Sequence, residues 1–216
     1  MGAITESFSQ LADWLLAEQR KNAAHRSSSL ESELLVTRLL RPLLPAQVRI
    51  GPGSALDVRD RQVGPFAILG TIDSYPVLGD GPASVSPVDG IVFCLHARPA
   101  ESANLSEFAE QCARLKRLER RADPVFCAAV AYGPLSPQEV KEFLQGKEGE
   151  SVDAVLSLGH NLVVRNSQGW YGAPDAVPYV TETDAGAALK ALAFLLLQIS
   201  QSSLGQPFAL ASYQHL

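Results

Sequence analysis

The side chains that could do chemistry in this 216-residue chain are few and scattered. Glu33 lies in a leucine-rich stretch of helical period, and Asp73 and Asp89 flank short apolar runs. His96 and Arg98 close the run Ile91-Val92-Phe93-Cys94-Leu95. Carboxylates converging from several elements would hold a hard divalent cation and activate water on it. His96 and Arg98 fall on one side of a strand, because side chains alternate with a period of two. With Glu33 beside them they would form either an internal ion-paired cluster, led by Glu33 and Arg98, or an anion site. Other chemistries lack their constellations. There is no Gly-x-Ser-x-Gly elbow, no phosphate-binding glycine loop ending in Lys-Ser or Lys-Thr, and no His-Glu-x-x-His. The histidines are far apart, and Cys94, Cys112 and Cys127 are too few and too separated for a zinc site.

The elements that must position these residues are legible in outline. Phe8, Leu11, Leu15 and Leu16 predict an amphipathic helix over residues 4–24. A second helix carries Glu33, with a buried stripe from Leu34, Leu35, Leu39, Leu40 and Leu43. Ser28 and Glu31 have capping-box spacing before it, and Pro42 and Pro45 mark its end. Strands are expected at residues 47–50, 65–69, 75–78 and 90–95, the last apolar throughout and therefore covered on both faces. Leu105, Phe108, Cys112, Leu115 and Leu118 share one face of a helix predicted over residues 105–121. An apolar strand follows at 125–131. Ser136-Pro137-Gln138-Glu139 then forms a second capping box, opening a helix that stops at Gly146. Strands at 154–158 and 162–165, a Gly/Pro-rich loop and a closing helix over 184–201 complete the order. This alternation predicts an α/β fold with a mixed central sheet flanked by helices. Residues 1–26 read as an N-terminal helix and residues 27–216 as a single α/β domain. In this layout Asp73 is most simply a turn residue and Asp89 a cap at a strand start.

Composition sets the outer bounds. With 46 % hydrophobic and 19 % charged residues the chain is not of the disordered class. A net charge of −5 argues against a grip on bulk nucleic acid through overall charge. The densest basic cluster is Arg114, Lys116, Arg117, Arg120 and Arg121. It reads as a solvated helix end or as a phosphate-contacting patch. Cys94 and Cys127 sit in apolar runs, where a buried reduced thiol is usual, so a cytoplasmic compartment is expected. The first residues lack the basic start of a signal peptide, and the apolar stretch 185–199 is broken by Lys190 and too short to span a bilayer.

Taken in order, these pieces resemble the restriction-endonuclease-like, or PD-(D/E)XK, nuclease superfamily, and within it an uncharacterised bacterial nuclease-like family. The resemblance starts at Glu33, Val36, Leu39-Leu40 and Leu44-Pro45, and continues through Gly51 and the segment 64–78. It takes in the stretch from Pro87-Val88-Asp89-Gly90 to His96-Ala97-Arg98, and then the strand at 153–158, the closing helix and Tyr213. It implies the core order αβββαβ. It also implies a helix Glu, a strand Asp and an acidic-x-Lys triplet meeting at one sheet edge around Mg2+. Here the positions that match those groups hold Glu33, Ala67, His96 and Arg98. Two carboxylates are gone, and arginine does not replace a lysine that orients water. The expectation is therefore a catalytically degenerate domain without a metal or other cofactor. It would bind or scaffold a partner, protein or nucleic acid, and the overall acidity favours protein. The alternative is an active metal-dependent nuclease in which Asp73 and Asp89 replace the missing ligands beside Glu33 and His96. Mg2+ or Mn2+ is implied only in that case.

Overall fold

Eight strands form one mixed sheet in the order β3-β1-β2-β4-β5-β6-β7-β8 in the computed structural model. It describes residues 3–22, 30–98, 103–121, 123–147, 149–166, 180–181 and 186–205. The strands are β1 (Val48–Leu56), β2 (Gln62–Ile72), β3 (Val85–Pro87), β4 (Ile91–Arg98), β5 (Phe126–Ala131), β6 (Ala154–Ser157), β7 (Leu162–Arg165) and β8 (Val180–Thr181). β4 runs parallel to β5 and β5 to β6, while β2 pairs antiparallel with β1 and with β4. Helices α1 (Ala3–Asn22), α2 (Leu30–Leu35), α3 (Arg41–Leu43) and α6 (Ala187–Ser203) supply the core on one face. Helices α4 (Ala103–Lys116) and α5 (Pro137–Gln145) cover the other.

β4 shows why an all-apolar strand belongs at the centre. Phe93, Leu95 and Ala97 pack toward α1, α2 and α6, whereas Ile91 and Cys94 pack toward α4. The three cysteines are free thiols, all buried. No described helix is long and apolar enough to cross a membrane.

Several elements differ from their sequence expectation. The run 75–78 is not a strand; Leu78 makes an isolated bridge to Val85. β1 and β2 are longer than expected, and β8 falls in the stretch read as loop. Pro42 lies inside the last helical turn, and the helix stops at Leu44, whose extended backbone (ψ 153) precedes Pro45. The Ser28–Glu31 box lies outside the described residues. The Ser136–Glu139 box is present, with Glu139 N–H donating to Ser136 Oγ at 3.1 Å and Ser136 N–H to the Glu139 carboxylate at 3.2 Å.

Helix α4 ends at Lys116 rather than near residue 121, and a buried carboxylate explains it. Asp57, beyond β1, accepts hydrogen bonds from the backbone N–H groups of Arg59, Arg61 and Glu119, and from Arg61 Nε at 2.8 Å. The Glu119 N–H is thus taken from the helix ladder. Burial alone would raise the Asp57 carboxyl, but these donors outweigh it and hold the group well below the usual carboxylate range. The capping contacts to Ser136 lower Glu139 in the same direction. Carboxyls depressed in the folded state stabilise it above their unfolded value, about 4, and lose that contribution as pH falls below it. Their share of the melting temperature is therefore expected to hold level from neutral pH to about 4.5 and to be lost below it, while Asp153, raised by burial, acts in the opposite sense. Asp57→Asn should lower the plateau and flatten the acid limb, as followed by circular dichroism.

Candidate functional site

One cavity among the described residues is lined from both helical layers and from the end of the sheet between them. The cavity has a volume of about 530 Å3 and is open to solvent. Glu33, Ala67 and His96 all line it. Ala67 lies one residue beyond the Ile68–Leu95 pair of β2 and β4, which sets it beside His96 on the neighbouring strand. Directly opposed side chains on such strands have Cβ atoms about 5 Å apart. The His96 ring stacks on Phe108 of α4, with centroids 4.9 Å apart and planes at 15°. Arg98 ends β4 opposite Ala131. Its side chain, and with it the expected Glu33–Arg98 pair, lies outside the described residues.

A local irregularity turns α2 toward the cavity. Between α2 and α3 the chain makes a π turn at Val36–Leu40, with the Arg41 N–H bonded to the Val36 carbonyl. Pro42 offers no N–H, and its ring would press on the carbonyl four residues back in a regular helix. The widened turn sits just ahead of it. In an unbroken α-helix, eight residues would rotate Arg41 by roughly 80° away from Glu33. A π turn absorbs one extra residue and reduces that angle to roughly 20°. Arg41 accordingly lines the cavity with Glu33 and Val36. At the far end of β5, the buried Tyr132 hydroxyl donates to the Glu31 carbonyl at 3.0 Å and ties α2 to the sheet. Burial, reinforced by the Glu31 carboxylate, pushes that hydroxyl well above its usual range.

Three lining residues escaped the sequence reading. Arg41 did so because the π turn leaves no sequence period, and Glu107 and Gln111 because their apolar neighbours define the other face of α4. Glu107 and Gln111 are four apart and share a helix face, a spacing that could have flagged them. Glu33, Arg41 and Glu107 have no ion-pair partner among the described residues, in contrast to Arg49–Asp73, Arg61–Asp57 and Lys116–Asp153. Ser32 also lines the cavity, is 7 % exposed, and its Oγ has no hydrogen-bond partner among the described residues.

Asp73 and Asp89 are not brought to this place. β2 and β4 are antiparallel, so the residue after β2 and the one before β4 lie together at the opposite end of the strands. Seven residues of strand put that end roughly 20 Å from His96. Asp73 pairs there with Arg49 Nε at 2.6 Å, and Asp89 Oδ1 accepts the Arg121 N–H at 2.7 Å. Asp73 thus lies in a turn, whereas Asp89 lies in the 3-10 turn Val88–Gly90 and caps the Arg121 N–H rather than the start of its own strand.

The basic cluster is also split. Lys116 turns inward, with Nζ 2.9 and 2.8 Å from the two carboxylate oxygens of Asp153. Burial would lower the lysine, but the Asp153 charge holds it above its usual value. Asp153, 1 % exposed in its side chain, is pushed up by burial against the pull of Lys116 and of the Cys127 N–H. Arg120 donates to the Ile91 carbonyl at 2.8 Å. Arg114, Arg117 and Arg121 remain exposed. They lie at and beyond the C-terminal end of α4, whereas the cavity is lined by Glu107, Phe108 and Gln111.

At the positions that the resemblance matches, Glu33 brings a carboxylate, Ala67 a methyl group and His96 an imidazole, where a hard cation takes oxygen ligands, and Glu107 adds a second carboxylate to the cavity lining. No group of three or more His, Cys, Asp or Glu side chains among the described residues could hold a metal ion.

The sequence matches no protein-family model and no curated protein. Solved structures do resemble it. NucC of P. aeruginosa ATCC27853 in its cAAA-bound form superposes with a TM-score of 0.70 at 13 % identity, covering 95 % of this chain and 100 % of that one. NucC of E. coli MS115-1 in its cAAA-bound form gives 0.68 at 13 % identity, covering 91 % and 90 %. The apo form of the E. coli protein gives 0.67 at 12 %, covering 90 % and 92 %. NucC has the restriction-endonuclease-like fold. Sequence identity this low with agreement over nearly the whole length is a statement about architecture: this chain has the restriction-endonuclease-like, nuclease-like fold.

Proposed function

We propose that this chain is a nuclease-fold protein whose ancestral cation pocket has become a binding cavity, one that holds a partner without cutting it. The observation that carries this reading is the pairing of Ala67 with His96 on the cavity wall. The resemblance in sequence places a strand carboxylate and an acidic-x-Lys triplet at those positions, and a methyl group with an imidazole cannot gather a hard cation in their stead. Arg41, swung in by the π turn, adds a fixed positive charge where a metal site would need oxygen. The rival reading, a metal-dependent nuclease with rearranged ligands, draws on Glu107, which brings a second carboxylate to the cavity.

Cleavage assays separate the two. Supercoiled plasmid and single-stranded DNA are incubated with the protein and Mg2+ or Mn2+, beside Glu33→Gln and Glu107→Gln variants. The expected result is no cleavage above the buffer background in any of them. Metal-dependent cleavage by the unaltered chain that disappears in either variant would establish the nuclease instead. Because two of the similar structures are cAAA-bound forms, a thermal-shift titration with cAAA belongs in the same series.

A further inference from the structure

We infer that the cavity binds a nucleoside monophosphate, its base against the His96–Phe108 wall and its phosphate on Arg41. This rests on the reading of the cavity as a binding pocket rather than a metal centre. Two observations converge on that ligand class.

The first is the wall itself. His96 is half-buried and lines the cavity with Phe108 stacked behind it. Val36, Ile50, Pro65 and Ala67, which keep some exposure, make much of the remaining surface apolar. A flat heterocycle gains on such a wall because stacking holds any base by its π-face. The second is the unmatched polarity of the rim. Arg41 is a planar guanidinium suited to a phosphate. Glu33 and Glu107 accept from the amino group of a base and from ribose hydroxyls. All three are exposed on the cavity rim, and among the described residues none of them has an ion-pair partner, so each is open to a ligand. The volume, about 530 Å3, falls within the roughly 300–1,000 Å3 of pockets that enclose small ligands.

The test is calorimetric titration in EDTA, so that no metal contributes. The probes are adenosine 5′-monophosphate, adenosine and ribose 5-phosphate. The expected order is the monophosphate tightest, adenosine weaker, and ribose 5-phosphate weakest, since it lacks the stacking group. Arg41→Glu should weaken the monophosphate by about tenfold or more and leave adenosine unchanged. His96→Ala should weaken both by about fivefold or more. Arg41 is exposed, so its variant should keep the unaltered melting temperature, which shows that a loss of binding is not unfolding. The inference falls if the monophosphate does not bind at millimolar concentration, or if ribose 5-phosphate binds equally well. Absence of nucleotide binding together with absence of cleavage removes this inference and leaves the binding-cavity reading. Metal-dependent cleavage removes that reading whatever the titrations give.

Discussion

Replacing Asp153 with alanine should lower the stability of this protein by about 3–5 kcal/mol, as measured by urea denaturation. The carboxylate is buried and is held by Lys116 Nζ and by the Cys127 N–H at 2.8 Å. Removing it leaves an ammonium ion and a backbone donor in the interior with no acceptor, the costly half of a broken buried pair. For a chain of this size the melting temperature should fall by roughly 6–20 °C. Adding Lys116→Met to the same variant should recover a large part of the loss, because an apolar replacement of both partners leaves no stranded charge. A single-variant loss below about 1 kcal/mol would show that the pair does not anchor α4 to the sheet.

The second large effect is expected at Gly186. Its φ of 82 lies in the left-handed region, and it directly precedes α6. A Cβ added there would collide with the Ser9 backbone nitrogen and stand 2.6 Å from the Phe8 carbonyl carbon, both in α1. Neither neighbour is the end of a flexible side chain, so α1 would have to move. Gly186→Ala combines an unfavourable backbone conformation with overpacking, together about 2–4 kcal/mol. Because α1 shares its core with α6 through Leu15 and Leu192, the damage should appear first as early proteolysis of the N-terminal helix. An α1 that resists protease as well as in the unaltered chain would show that this approach is not tight in solution.

What could be read from the sequence follows from which signals are local. The run ending at Leu95 announced a two-sided central strand, and Ser136 with Glu139 announced a helix start, because burial pattern and capping chemistry are written within a few residues. The convergence of Glu33, Ala67 and His96 on one cavity was reached from an ordered resemblance, not from any one motif. The misses are of another kind. Leu118 continued the apolar period of α4, yet Asp57, far away in sequence, takes the Glu119 N–H and ends the helix early. Lys116 counted as part of a basic surface because its partner, Asp153, is 37 residues away. Arg41 was overlooked because a helical wheel assumes a constant turn, and the π turn breaks that constancy. Long-range pairing and backbone irregularity decided each of these, and neither leaves a period to read.

The way α4 is fastened has a mechanical meaning. The Lys116–Asp153 pair grips its last turn, and the Asp57–Glu119 bond secures the residues just beyond, while Glu107 and Phe108 face the cavity from its other end. Phe108, Ala109 and Cys112 are buried along the same helix, so the wall that a guest would meet is braced from root to mouth, with the His96–Phe108 stack as its facing.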